Sequence, residues 1–162
     1  MARRTLSDGL QSYLHGMSEE QAIKTLEMEG RRLKYIALKV WRKYLSSYQP
    51  KEYVRTRNTQ RGIKLGRVRR IDSNHFGIDL MYENDLMYHD SIFEGNQPKG
   101  HSLMLISDGW HSRKLERRYG RRIYMLTYFE GADIIEQIER EYNKYKPLGV
   151  TLETKWSGRY TR

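Results

Sequence analysis

Residues 18–47, SEEQAIKTLEMEGRRLKYIALKVWRKYLSS, decide the fold class because they predict one long amphipathic helix. Ser18, followed three residues later by Gln21, is typical of a capping box that starts a helix. Apolar or small residues then recur at alternating steps of three and four: Ile23, Leu26, Gly30, Leu33, Ala37, Val40 and Tyr44, with Ile36 and Trp41 beside them. This spacing predicts a helix over about 19–47, which Pro50 ends.

The face opposite this apolar stripe is cationic. Five basic residues are assigned to it: Lys24, Arg31, Arg32, Lys39 and Arg42. A helix of this length extends about 43 Å, which exceeds the width of so small a domain, so we expect part of it to lie against another subunit. Gly30 in mid-helix costs about 1 kcal/mol relative to alanine, and we expect it to permit close approach of another backbone.

After the helix, the apolar period changes from 3.6 to 2. Ile63, Leu65 and, after a slip in the alternation, Val68 predict one strand, and an alternating run over 76–82 predicts a second. The apolar residues of that run are Phe76, Ile78, Leu80 and Tyr82. Asp72-Ser73-Asn74 between the two runs is typical of a turn, so the two strands are predicted to form a hairpin.

Residues 83–120 are predicted to be a long loop, within which Leu103–Ile106 forms a short strand. Loops of this length are mostly binding elements or disordered. This one has too many apolar residues to stay solvated, so we expect it to dock on a partner or to fold as a hairpin. A further strand is predicted over Arg122–Phe129.

Gly131–Tyr145 predicts a second helix and Val150–Trp156 a last strand. The helix has an apolar stripe of Ile135, Ile138, Tyr142 and Tyr145, and an acidic outer face of Asp133, Glu136, Glu139 and Glu141. The predicted fold class is α+β, with both helices on one face of an antiparallel sheet and a long inserted loop or hairpin. Residues 1–17 are predicted to be an arm with at most a short helix, and 18–162 a single domain.

The composition excludes several classes of protein. The 162 residues include no cysteine, which excludes a disulfide scaffold, a thiolate zinc site and a cysteine nucleophile. No run approaches the roughly 18–20 apolar residues of a membrane span, and no signal peptide is recognised, so no membrane partner is expected. The 13 Tyr, 3 Trp and 3 Phe are typical of a chain that folds.

No motif predicts catalysis. His101 and His111 flank Asp108, but the histidines do not have the spacing of known metal motifs. We therefore predict that the protein is not an enzyme and binds no metal or cofactor. A metal-dependent nuclease that uses His101 and His111 is the weaker alternative.

The two signs of charge are segregated along a chain whose net charge is +10. The main basic cluster consists of Arg113, Lys114, Arg117, Arg118, Arg121 and Arg122, with Trp110 nearby. Acidic residues gather at Asp79, Glu83 and Asp85. Segregated charge favours head-to-tail contact between copies. The alternative is a basic DNA-binding or DNA-processing protein that uses the cluster to contact phosphates.

Two groups of short motifs resemble one known family. The first closes the long helix and contains Tyr44, Tyr48, Pro50, Tyr53, Arg55 and Thr56. The second comprises Gly100-His101-Ser102, Gly109-Trp110 and Tyr128-Phe129-Glu130-Gly131. Together they resemble the tail-completion or neck proteins of long-tailed bacteriophages, also described as head–tail joining or minor tail components.

The resemblance implies a non-enzymatic α+β subunit of the virion, assembled in the host cytoplasm. Such subunits form a ring, commonly sixfold, between the connector and the tail-tube proteins. The ring seals the joint and lets DNA through, so transient contact with DNA is implied as well.

Overall fold

A computed structural model of the chain describes residues 6–13, 18–47, 58–89, 100–118 and 121–156. Along the chain the elements are β1 (Leu6–Tyr13), α1 (Glu19–Ser46), α2 (Asn58–Arg61), β2 (Ile63–Leu65), β3 (Arg69–Arg70), β4 (His75–Tyr82), α3 (Asn84–Met87), β5 (Tyr88–His89), β6 (Gly100–His101), α4 (Ser102–Asp108), β7 (Trp110–Arg118), β8 (Arg121–Phe129), α5 (Ile134–Asn143) and β9 (Val150–Trp156).

The long helix α1 begins and ends close to where the sequence predicts. The capping box is formed: the Gln21 backbone N–H donates to Ser18 Oγ over 3.3 Å, and the Ser18 N–H donates to Gln21 Oε1 over 3.0 Å. The predicted stripe faces the core, with Leu26, Leu33 and Ala37 at most 1% exposed. Burial of this stripe, rather than helix propensity, supplies most of the stability of such a helix.

A five-stranded antiparallel sheet forms the second layer. Its order is β2-β4-β1-β9, and β3 also pairs with β4. The alternate residues Phe76, Ile78, Leu80 and Tyr82 of β4 are buried, as predicted. Helix α1 packs on β4, β1 and β2 and also against α5. The predicted α+β class, with its two helices and antiparallel sheet, is confirmed.

The slip predicted before Val68 is a bulge in the edge of this sheet. Leu65 lies opposite Leu80, whereas Arg69 lies opposite Gly77, so the edge strand has one residue more than its partner. The Gly66 backbone N–H, inside the bulge, donates to the Asp79 carbonyl over 2.8 Å. A bulge bends an edge strand and discourages pairing with further strands.

The predicted turn between β3 and β4 is formed by Asp72. Its Oδ1 accepts the backbone N–H groups of Asn74 and His75 over 2.8 and 2.9 Å. The hydrogen bond from Asn74, followed by contact with His75, lowers the pKa of Asp72 below its ordinary value. The turn therefore favours the charged carboxylate.

The structure differs from the prediction at Leu6–Tyr13. This segment is not an arm with a short helix but a strand, β1, that lies in the sheet between β4 and β9. Leu6 and Leu10, four residues apart, fit one face of either a helix or a strand. Residues 6–13 form a strand rather than a helix because they pair with both β4 and β9.

The segment predicted to be a long loop contains several elements. Leu103–Ile106 is not a strand but part of helix α4, in which Leu103 is buried and Ile106 is half-buried. A short continuous apolar run cannot distinguish the two by its periodicity. Strand β7, at the end of this segment, pairs along its full length with β8, which lies beyond the segment, so the hairpin is formed with the following strand rather than within the predicted loop.

Helix α5 is shorter than predicted and is capped from a distance. Its N-cap residue Asp133 has φ 46° and makes no side-chain cap. The buried Ser107 at the end of α4 supplies one, because its Oγ accepts the Ile135 backbone N–H over 3.2 Å. Ile135, Ile138 and Tyr142 face the core as predicted, but Tyr145 is 78% exposed, so its assignment to the stripe is wrong.

A polar network joins α1 to the end of α5. Arg32 Nη1 lies 2.9 Å from Glu29 Oε2, and the guanidinium also donates to the Tyr145 and Tyr142 carbonyls over 2.7 and 3.3 Å. The Arg32 side chain is 27% exposed. Its assignment to the outward face is therefore wrong, because it turns toward α5 and donates to carbonyls at the end of that helix.

The close approach expected at Gly30 is made by side chains rather than by backbone. A Cβ at this position would lie 2.9 Å from Leu65 Cδ1 and 3.0 Å from Ile78 Cδ1. The absence of a side chain therefore lets α1 settle on β2 and β4.

Candidate assembly surfaces

The hairpin β7–β8 is the candidate site that unites most of the predicted residues. Its strands form a two-stranded sheet separate from the main sheet, with Trp110 opposite Phe129 at the base. Within the part of the chain that the structure describes, each strand contacts the other extensively and no further element to a comparable extent. The base lies between Gly109 and Gly131, with φ 81° and 97°, a left-handed conformation that glycine adopts without strain.

Four of the six predicted basic residues meet at the other end of this hairpin. Arg117 lies opposite Arg122, and Arg118 lies opposite Arg121. Directly opposed residues occupy the same face of a strand pair, and like charges there are destabilising. The remaining two, Arg113 and Lys114, lie opposite Leu126 and Met125. Since eight residues separate base from tip at about 3.3 Å each, the arginine tip lies about 26 Å along the strands from the base.

Two of the three predicted acidic interface residues are paired within their own chain. Asp79 Oδ2 lies 3.2 Å from Arg69 Nη2, and Glu83 Oε2 lies 2.6 Å from Lys64 Nζ. These pairs follow from the register, which places the edge strand beside β4. Asp79 and Glu83 therefore do not form an unsatisfied acidic surface, and only Asp85 is exposed.

A better acidic candidate lies directly after the hairpin. Glu130, Asp133 and Glu136 are exposed and recur every three residues from the base of β8 into the first turn of α5. Glu130 lies within a family motif, and for this reason its charge was not assigned to an acidic surface from the sequence. The three-residue spacing of Glu130, Asp133 and Glu136 is the sequence pattern that indicates this acidic surface.

The remaining carboxylates predicted for the outer face of α5 have partners. Glu139 accepts a hydrogen bond from the Thr154 hydroxyl on β9. Glu141 Oε1 lies 2.5 Å from Lys144 Nζ, and this bond holds the pKa of Glu141 below its ordinary value. The acidic surface is therefore narrower than the sequence predicts and is confined to the start of α5.

An open groove of about 600 Å³ lies between the start of α1 and the bulge. Its floor is apolar and includes Val68 and Phe76. Two ion pairs lie on its rim, Arg70 with Glu19 and Arg31 with Glu27. Its apolar lining is continuous with the hydrophobic core, so the groove is interpreted as the margin of the core rather than as a binding site.

The first family motif lies almost wholly outside the described residues. Tyr48, Pro50, Tyr53, Arg55 and Thr56 all fall there, whereas Tyr44 is half-buried with its ring 5.6 Å from that of Trp41. The second motif is described by its backbone. Its Gly109-Trp110 and Phe129–Gly131 portions come together at the base of the hairpin.

Within the described parts of the chain, no group of three or more His, Asp and Glu side chains could hold a metal ion. The side chains of His101, Asp108 and His111 are not among those described, so the prediction about them stays a prediction. Among the described helices, none combines the length and apolarity that a bilayer crossing requires.

Comparison of the chain with protein-family models, with curated proteins and with solved structures found no match.

Proposed function

We propose that the protein is a structural, non-enzymatic subunit of a bacteriophage virion. In this proposal, copies of the chain form a ring, which is commonly sixfold in the family that the motifs resemble, at the head–tail junction between the connector and the tail-tube proteins. The ring completes the tail, seals the joint and lets DNA pass. The support is the family resemblance of the motifs together with one structural observation, the hairpin β7–β8.

The hairpin carries the proposal because it is too small a unit to be stable alone. A two-stranded hairpin is marginally stable in water without a surface to pack on. Apolar residues occupy register positions on both faces, with Leu115 opposite Tyr124 on one and Glu116 opposite Ile123 on the other. A neighbouring copy supplies the surface that the described part of one copy does not.

The charges define how two copies meet. The arginine tip of one hairpin, Arg117, Arg118, Arg121 and Arg122, is complementary to the exposed carboxylates Glu130, Asp133 and Glu136 of the next copy. Tip and carboxylates lie at different places on the chain, so the contact is heterologous. Heterologous contacts build rings when the rotation closes.

Charge reversal and its rescue test this arrangement. Arg118→Glu with Arg121→Glu should reduce the assembled mass measured by light scattering to that of a single copy. Adding Glu130→Lys and Glu136→Lys should restore the rings seen by negative-stain electron microscopy. A matched control, Arg61→Glu with Lys146→Glu, changes two exposed charges elsewhere and should leave assembly intact. Loss of assembly in the control, or no rescue, would contradict the proposal.

The arginine pairs also favour a second candidate function, a basic DNA-binding protein whose hairpin tip contacts phosphates. Under this alternative, the chain stays a monomer and binds duplex DNA with a steep salt dependence. The reversal at Arg118 and Arg121 would then abolish DNA binding without changing the mass in solution.

A further inference from the structure

The outward face of α1 has a stripe of side chains that the proposed ring does not use. Six residues at steps of three and four make up this outer stripe: Lys24, Met28, Arg31, Tyr35, Lys39 and Arg42. All six are exposed, with Lys24 and Arg31 at 72% and 77% and Met28 and Tyr35 both at 64%. The stripe extends about 27 Å along the helix, at 1.5 Å per residue.

Every charged side chain of the stripe is a cation. The stripe includes no carboxylate, and no Asp or Glu occurs anywhere from Gly30 to Lys51. Two of its cations have glutamate partners one turn earlier, Lys24 with Glu20 at 2.6 Å and Arg31 with Glu27 at 4.0 Å, and Lys39 also interacts electrostatically with the exposed Glu141 of α5. Exposed pairs of this kind contribute only about 0–1 kcal/mol, so a stronger anion can replace them at little cost.

We infer that this stripe binds the phosphate backbone of a nucleic acid duplex. Lys, Arg and Tyr are side chains that contact phosphate oxygens without reading sequence. A duplex has one phosphate charge per about 1.7 Å of its axis, so a cationic stripe of this length lies in a strong attractive field and crosses the phosphate strands.

Two other occupants fit less well. A second copy bound through the same stripe would bring cations against cations. A protein groove that receives a helix requires apolar anchors at i, i+3 or i+4 and i+7. Here Met28 and Tyr35 are seven residues apart, and the anchor position between them is Arg31.

The test measures binding of a fluorescent duplex by anisotropy over a series of NaCl concentrations. The full-length chain is compared with a variant that has Gln at Lys24, Arg31, Lys39 and Arg42. Four phosphate contacts predict a slope of log K against log salt of about −3.5, and removing them should flatten it by about that amount. Affinity at low salt should fall at least tenfold. Equal thermal melting of both chains, followed by circular dichroism, establishes that the variant folds.

A charge-matched control separates the stripe from net charge. Gln at the exposed Arg61, Arg67, Arg140 and Lys146 also removes four cations and should change affinity less than threefold. An equal loss in this control would overturn the inference, as would an unchanged slope in the stripe variant. Stripe-dependent binding of polyglutamate as tight as that of DNA would also overturn it, in favour of an acidic protein partner. The experiment uses the chain whether or not it assembles, so it is independent of the proposed ring.

Discussion

The Tyr142 hydroxyl donates a 2.9 Å hydrogen bond to Oε2 of Glu29, which joins the end of α5 to the middle of α1. Tyr142 is fully buried and Glu29 is 7% exposed. The same carboxylate oxygen lies 2.9 Å from Arg32 Nη1, and the Arg32 guanidinium stacks 5.1 Å from the centre of the Tyr142 ring. A buried charge is tolerated when its hydrogen bonds and its counterion are both present, as they are here.

Removal of the Tyr142 hydroxyl should destabilise the fold. Tyr142→Phe keeps the ring but leaves a buried carboxylate oxygen without one donor, so the free energy of unfolding should fall by about 1–3 kcal/mol. Urea denaturation measures the change. Tyr145→Phe is the matched control, because that side chain is 78% exposed and its substitution should change stability by less than about 0.5 kcal/mol. Equal effects of both substitutions would contradict the role of the hydrogen bond.

Tyr142 should also make the folded protein less stable at alkaline pH. Burial, followed by the hydrogen bond to Glu29, raises the pKa of Tyr142 well above its ordinary value of 10.0. A raised pKa means that the folded state favours the protonated phenol, so stability is complete below pH 10.0 and declines as the pH rises above it. Urea midpoints measured across this range should fall more steeply for the native chain than for Tyr142→Phe. Parallel curves would show that another group is responsible.

Loss of the Arg32 guanidinium should lower the free energy of unfolding more than loss of the adjacent Arg31 guanidinium. Arg32→Met leaves Glu29 without its counterion and removes the side-chain donor to the Tyr145 carbonyl, and breaking a buried pair costs about 3–5 kcal/mol. Arg31→Met, at a residue 77% exposed, should cost less than about 0.5 kcal/mol. Adding Glu29→Gln to Arg32→Met should recover part of the loss, since the buried charge is then removed. A double variant as unstable as the sum of its parts would contradict this coupling.

The cap that Ser107 gives α5 should contribute to stability in spite of its distance in sequence. Ser107→Ala leaves the Ile135 backbone N–H without its acceptor and should cost about 0.5–2 kcal/mol, as loss of an ordinary N-cap does. Chemical denaturation of Ser107→Ala and of Ser73→Ala, whose serine lies exposed in the β3–β4 turn, compares a cap with a surface serine. Similar midpoints for the two would mean that the hydrogen bond does not hold the helix.

Local patterns were sufficient to predict α1, β4 and the turn before β4, although the single edge strand predicted over Ile63–Val68 is two short strands, β2 and β3, and Val68 lies in neither. Each of these patterns involves residues close in sequence: the capping box at Ser18 and Gln21, the apolar stripe of α1, and the turn at Asp72. They can therefore be recognised without knowledge of the fold. Even the bulge was signalled, because an extra residue disturbs the alternation before Val68.

Features that depend on contacts between residues distant in sequence could not be predicted. The spacing of Leu6 and Leu10 fits a helix as well as a strand, and only the neighbours β4 and β9 select the strand. The same holds for charge: Asp79 and Glu83 were assigned to an interface because nothing local shows that Arg69 and Lys64 lie beside them. Strand β7 was hidden since Lys114, Glu116 and the arginines interrupt its apolar alternation.

The head-to-tail contact is tested most directly by cross-linking between copies. The chain has no cysteine, so Arg118→Cys at the hairpin tip and Glu136→Cys in α5 can each be introduced as a single reactive thiol. Chains with one substitution are mixed with chains that have the other, and a short bismaleimide is added. The account predicts a covalent dimer that contains one chain of each kind, far in excess of dimers of like chains. Chains that remain single, or that join equally well in every combination, would contradict it.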